Sequence, residues 1–438
     1  MIIMKSDKLL EAPSLIRLRC GFTQNDWGKI GSESLVFQLS NSNKVDQNAP
    51  YAELWMGSHD LHPSQDYETR EWLRDIFQSH PSLLSRPIDH WFNRQLPFLF
   101  KVLSIESAIC IQAHPDKTLA KQLHMSDPIT YPEQEKDSHH KPEMIVALTP
   151  FEALCGFRPF PEIASFLAHL SPLRRLIGTP AHEFMVLASQ GTSDSLQEIA
   201  TVKRAWEALL RAPQEQIVAC TRELLILVES DEIHQLAGWE VLRGLITRLH
   251  RQYPDDVGLF TIFFMNYVSL APGKALFVSP NELHSYLSGD AVECMASSAN
   301  VVRGGFTRKQ KDIDTLISMA SYSCSARVLP RILPHNPHVV STRGAVSSVL
   351  YQTPAEEFDV AKIDLRSHDA QIQLAPIHGP SIVICIQGRG EIHAGNQMGD
   401  INHGSVFFIG AGNAASMRNN TAGSDLVLFQ ALCDSRGL

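Results

Sequence analysis

At 438 residues the chain is long for one compact unit, so two or three domains are expected. A hydrophobic fraction of 44% and a charged fraction of 19% exclude a disordered chain. A formal net charge of −9 argues against nucleic acid or an anionic membrane as partner, because either favours a basic surface. Met1–Arg19 carries basic residues but no continuous apolar stretch, so it does not match a secretory signal. The most apolar segment, Leu259–Leu270, is too short for a membrane span. Eight cysteines with no Cys-x-x-Cys pair suit reduced, buried thiols, which makes the cytoplasm the expected location.

As far as Arg158 the chain is punctuated by Gly, Pro and Asn, and short apolar segments such as Phe98–Leu103 and Ile145–Leu148 predict buried strands. From Pro159 to Pro254 the texture becomes helical. Ile163, Phe166 and Leu167 have helical spacing, as do Val202, Ala205, Trp206, Leu209 and Leu210. Leu236, Trp239, Leu242, Leu245, Ile246 and Leu249 line one face, and Pro254 closes that helix. Strand character returns in Phe260–Leu270, Ala275–Val278 and Val292–Met295. The last hundred or so residues predict an antiparallel unit with strands at Phe358–Ile363, Gln371–Leu374, Ser381–Gln387, Glu391–His393 and Ser405–Ile409. Many short strands with Gly turns point to a sandwich or jelly roll.

Three polar clusters stand out. In Cys110-Ile111-Gln112-Ala113-His114-Pro115-Asp116-Lys117, a strand would project Gln112 and His114 from one face, and Pro115 would turn the chain just beyond them. In Asp137-Ser138-His139-His140-Lys141-Pro142-Glu143, only Glu143 leads directly into an apolar strand, and a carboxylate entering a core needs a cation or hydrogen bonds. In Pro280-Asn281-Glu282-Leu283-His284-Ser285-Tyr286, His284 follows a turn and shares a strand face with an aromatic ring. On spacing alone each cluster is weak evidence, and an ordinary hydrogen-bonded pair or turn is the commoner source of such a string.

Taken in order along the chain, longer segments resemble one family. They are Tyr51-Ala52-Glu53-Leu54-Trp55-Met56-Gly57, Leu96-Pro97-Phe98-Leu99-Phe100-Lys101-Val102-Leu103, Gln112-Ala113-His114-Pro115-Asp116-Lys117 and His140-Lys141-Pro142-Glu143. His284-Ser285-Tyr286-Leu287-Ser288-Gly289-Asp290, Glu293-Cys294-Met295 and Asn300-Val301-Val302-Arg303 follow. Together they resemble the type I mannose-6-phosphate isomerases from near the N-terminus to about Leu316, and Glu357-Phe358-Asp359-Val360 is similar further on. The resemblance implies a mainly β fold with a helical insert: two cupin-like jelly-roll units plus an all-α domain. Expected boundaries are 1–158 and 256–330 for a catalytic jelly roll in two segments, 159–255 for the insert, and 331–438 for a C-terminal jelly roll.

The resemblance also implies one Zn2+ per chain, held by Gln112, His114, Glu143 and His284, in a reaction that interconverts mannose 6-phosphate and fructose 6-phosphate through an enediol. Nitrogen and oxygen donors suit zinc, and a single carboxylate leaves the site a charge of about +1. Arg303 is the candidate partner of a developing oxyanion. Glu293 is a candidate base or an orienting carboxylate, and Lys141 a candidate for ring opening or for holding a hydroxyl. Lys309 matches the family's lysine near the phosphate. Cys110 stands where the family usually has a serine that contacts phosphate, and a thiol is a poorer donor. Lys117 is grouped with the phosphate residues, with a solvated strand-end charge as its other reading. Trp27, Trp55 and Tyr286 are expected in the core more than as sugar platforms. The implied partner is a small sugar phosphate, and a monomer is compatible with the sequence. The implied role is in carbohydrate metabolism and the supply of activated mannose (GDP-mannose biosynthesis).

Two departures, Cys110 and a Gln24–Gly28 segment one residue shorter than the family's, leave open a non-catalytic sugar-phosphate-binding paralogue. An iron oxygenase of similar fold is a third reading, although Gln112 would fill a position that such enzymes keep open.

Overall fold

The computed structural model describes residues 12–40, 46–126, 137–190, 195–230, 236, 238–324 and 331–435. It is mainly β, with a helical region running from Phe160 to Gln252. A ten-stranded sheet carries the polar clusters, and its long central strand, His284–Ala296, pairs antiparallel with Phe98–Ile105, Glu143–Ala147 and Phe151–Phe157. Phe98–Ile105 is buried along its whole length, as an apolar run flanked by strands on both sides should be.

Eight- and five-stranded sheets form the C-terminal part of the molecule around Ile363, Ile372, Val383, Ile392 and Met417. Leu15–Arg19 pairs with Val406–Ile409 of the eight-stranded sheet, so the first described strand crosses into C-terminal architecture. The two β regions share a core, in which Phe98, Phe100, Val102 and Val292 pack with Phe358, Val360, Ile384 and Phe408.

The helical region buries the predicted faces. Trp206 and Leu209 of Ser195–Leu210 and Leu242, Leu245, Ile246 and Leu249 of Trp239–Gln252 enter one cluster with Phe157, Phe263 and Phe264 of the β region. One expectation fails locally. Phe260–Leu270 is not a single strand: Gly258–Thr261 is a helical turn, and the strand begins at Met265. A short, continuous apolar run carries no period by which to tell the two apart.

A bulge sets the chemistry of the central strand. Glu152 faces Ser288 while Ala153 faces Tyr286, so one extra residue sits in His284–Ala296 at this point. In a regular strand His284 and Glu293, an odd number apart, would point to opposite faces. The extra residue switches the parity, and Tyr286 and Glu293 line the same pocket. Gly289, just beyond, has φ +111 and lies against Pro150, where an added Cβ would meet the carbonyl oxygen at 2.5 Å.

Candidate metal centre

Three segments bring His114, Glu143 and His284 together, with one ligating atom from each within 4.8 Å of the others. Strand Ile111–Ala113 delivers His114 at its end, and Glu143 opens its own strand. His284 opens the central strand directly opposite Gln112. All three side chains are sealed from solvent, at 0%, 2% and 0% exposure.

The second ring nitrogen of each histidine is tied back to the backbone. His114 Nδ1 lies 2.5 Å from the Asn300 carbonyl and His284 Nδ1 lies 3.0 Å from the Glu282 carbonyl, so each Nδ1 donates and each Nε2 is left as an acceptor. The Glu143 oxygens lie 3.0 Å from His114 Nε2 and 3.4 Å from His284 Nε2, yet neither Nε2 has a hydrogen-bond partner. A buried polar atom left in this state costs about 1–3 kcal/mol. Two of them converging on one carboxylate is a donor set that suits a divalent cation.

The electrostatics agree with neutral imidazole and ionised carboxylate. Burial and the neighbouring Lys141 push His114 down to about 4. Burial alone would raise Glu143, but Lys141, 3.0 Å away, and His114 hold its carboxyl well below the usual range. Tyr286 also donates to Glu143 Oε2 at 3.3 Å.

The cluster opens into a cavity of about 630 Å³. Gln112, Lys141, Glu143 and Glu293 line it together with Arg303, Cys110, Arg308 and Lys309. Arg303 lies opposite Gln112 in the strand pairing, so Gln112 stands between His284 and Arg303. Burial raises the Cys110 thiol, while Arg303 and Lys309 draw it the other way. The thiol therefore sits among the cations, 3.5 Å from the Gln112 oxygen. The shortened Gln24–Gly28 segment still walls the cavity through Gln24, Asn25, Asp26 and Trp27.

Glu293 has its pKa raised by burial and by the charge of Glu143, against the pull of Lys101 and Lys141. Lys101 Nζ lies 3.7 Å from Glu293 but 3.1 Å from Glu53, and it stacks 4.1 Å above the Trp55 ring. Glu53 accepts further bonds from Thr23, Asn25 and Trp55. Sequence reasoning missed this Glu53–Lys101 pair. Its signal was present, since both residues lie within the quoted segments, but a charge on an apolar strand does not name its partner. Trp55 and Tyr286 are buried, at 8% and 1% exposure, and also line the cavity.

Lys117 lies elsewhere. It does not line the cavity but begins helix Lys117–Ser126, 60% exposed and 3.8 Å from Glu356. Asp116 accepts from the Thr118 and Leu119 amides, which starts a helix after Pro115 and carries Lys117 outward. The neighbouring His140 is engaged through Nε2 with Glu357 at 2.7 Å.

The loop bearing Arg308 and Lys309 is held from below. Asp256 Oδ1 accepts from the Phe306 and Gly258 amides at 2.9 and 2.8 Å, and its Oδ2 pairs with Lys311 at 2.9 Å. Phe306 itself has φ +50, which an aromatic residue adopts only when its surroundings enforce it. Asp256→Ala is therefore expected to raise KM for a phosphorylated sugar about 3- to 10-fold with kcat nearly unchanged, and Asp256→Asn, which keeps Oδ1, should restore most of the loss. Steady-state kinetics of the two variants would check this.

Comparison with known proteins agrees along the chain. The family model "phosphomannose isomerase type I" matches in its catalytic domain over residues 15–160, its helical insertion domain over 176–265 and its C-terminal part over 348–397. A mannose-6-phosphate isomerase of Aspergillus fumigatus is 41% identical, with 97% of each chain covered. One of Saccharomyces cerevisiae is 40% identical over 90% of this chain and 93% of its own. Among solved structures, a zinc-bound mannose 6-phosphate isomerase superposes with a TM-score of 0.76 at 25% identity, over 96% of this chain and 100% of that one. A phosphomannose isomerase variant from Salmonella typhimurium gives 0.76 at 26%, over 95% and 99%. No helix among the described residues is long and apolar enough to cross a membrane. With relatives matched at this identity over nearly its whole length, the chain belongs to the type I phosphomannose isomerase family.

Proposed function

We propose that this protein is a zinc-dependent mannose-6-phosphate isomerase, interconverting mannose 6-phosphate and fructose 6-phosphate through an enediol. The observation that carries the reading is the pair of buried histidine Nε2 atoms, without hydrogen bonds, that converge on Glu143 beneath a cavity lined by Arg303, Arg308 and Lys309. One zinc ion per chain would be held by His114, Glu143 and His284 with the Gln112 amide as fourth ligand. When bound, zinc supplies a Lewis acid that polarises the substrate oxygens.

The remaining chemistry falls to the chain. Lys309 and Arg308 bind the phosphate, with Cys110 as a weak donor beside them, and so fix the sugar's direction in the cavity. Glu293, which burial makes a stronger base when ionised, takes the proton from C2 and returns it to C1, while the hydroxyl proton passes from the C2 oxygen to the C1 oxygen. The Arg303 guanidinium offsets the negative charge that builds on oxygen as that proton leaves. Lys141, paired with Glu143, holds a substrate hydroxyl near the reacting carbons.

A coupled assay that follows fructose 6-phosphate formed from mannose 6-phosphate tests the reading. The reading requires turnover. Ligand-induced stabilisation without turnover would favour the non-catalytic paralogue instead. Lys309→Ala is expected to raise KM about 10- to 100-fold, the worth of one charge-assisted hydrogen bond, with metal content unchanged. Loss of metal alongside the KM change would assign Lys309 to the structure of the site rather than to phosphate.

A further inference from the structure

A second cavity, of about 750 Å³, lies outside the site described above, where the first described strand meets the C-terminal sheet. Its cations are Arg17, Arg19 and Arg70, and among the described residues no aspartate or glutamate lines it. That lining is unusual in a chain with 47 acidic residues against 38 lysines and arginines. Among the described residues none of the three guanidinium groups forms an ion pair.

Local structure aims these charges. Arg17 and Arg19 are two apart on a strand and share its outer face, while Leu18 between them is buried in the core. Arg70 has φ +67 and closes a turn whose Asp66 accepts from the Glu68 and Thr69 amides. Both Arg17 and Arg70 stack on Tyr67, 4.3 and 5.2 Å from the ring centroid. Stacking leaves the edge N–H groups of each guanidinium available and removes much of its rotational freedom. Like charges gathered in a concave wall favour an anion. Trp72, 38% exposed, and Leu61, 42% exposed, add a flat apolar surface beside them.

We propose that this cavity binds a small molecule combining a polyphosphate with a planar ring, of the nucleoside polyphosphate class. The phosphates lie on Arg17, Arg19 and Arg70, and the ring lies on Trp72 and Leu61. Leu61 also lines the catalytic cavity, so the two cavities share a wall without sharing a cation.

The test is calorimetric titration of the full chain with ADP, with adenosine and inorganic diphosphate as separate titrants. The proposal expects ADP to bind one per chain with a Kd below about 1 mM and each fragment to bind at least about 10-fold more weakly. The double variant Arg17→Gln/Arg70→Gln should weaken ADP at least about 10-fold with Tm and isomerase kinetics unaltered, and Arg19→Gln alone should weaken it less. No binding of ADP at about 5 mM overturns the proposal. Binding that ignores the arginine substitutions overturns it by placing ADP elsewhere, and diphosphate binding as tightly as ADP overturns the assigned class. Because the readout is binding at residues outside the catalytic cavity, a failure here is distinct from a failure of the isomerase reading.

Discussion

His284→Ala is expected to abolish measurable turnover, by about 1,000-fold or more, and to leave the purified protein depleted of metal. In the proposed centre His284 would supply one of four ligands; its Nδ1 is fixed by the Glu282 carbonyl and its Nε2 has no hydrogen-bond partner. Changes one shell further out already cost about 10- to 100-fold in metal affinity, so removing a ligand costs more. Losing a Lewis acid that would lower the barrier by several kcal/mol corresponds to the turnover loss stated. Elemental analysis beside the coupled assay checks both parts. Metal retained at the wild-type level would remove His284 from the site, and full turnover with the metal gone would remove the metal from the reaction. Since the residue is buried at 0% exposure and packs at 5.0 Å against the His114 ring, circular dichroism should accompany the measurement to show that the fold survives.

Arg303→Ala is expected to lower kcat about 100- to 1,000-fold while metal content stays at the wild-type level. That magnitude is typical when one preorganised donor to a developing oxyanion is removed. Arg303 sits on strand Val302–Gly305, opposite Gln112, and its proposed place is beside the reacting atoms and not on the metal. Arg303→Lys should recover little, because an ammonium cannot reproduce the planar fork of a guanidinium. The informative comparison is with His284→Ala: the two variants should be similarly inactive but differ in metal. Metal loss from Arg303→Ala would reassign the arginine to supporting Gln112.

Much of the fold was legible wherever one periodicity dominated. Gln371–Leu374 and Ser381–Gln387 are strands over the same residues that the short runs between turns marked. Leu242, Leu245, Ile246 and Leu249 are buried on one helix face, as their spacing required. Phe260–Leu270 was not legible in the same way, since a wholly buried segment has no polar side to reveal its period. The pairing of Leu15–Arg19 with Val406–Ile409 was hidden for another reason: contacts between chain ends nearly 400 residues apart leave no local trace.

The centre was legible in part. Glu143 could be singled out from its sequence neighbours because a carboxylate entering an apolar strand demands a partner, and it lies buried beside Lys141 and both histidines. Lys117 followed the same motif but was carried outward by a helix that Asp116 initiates. Glu53 and Lys101 lie 48 positions apart in sequence, and nothing local couples them. The switch of parity at Tyr286–Ser288 belongs to the same class, because a bulge is decided by the partner strand and not by the residues that bulge.

Metal content measured on the purified chain, before and after chelation and with turnover followed in parallel, tests the central claim most directly. One zinc per chain, turnover abolished by its removal and regained when zinc alone is added back, is the predicted result. A chain stripped of metal that still interconverts the two sugar phosphates at the original rate would contradict it.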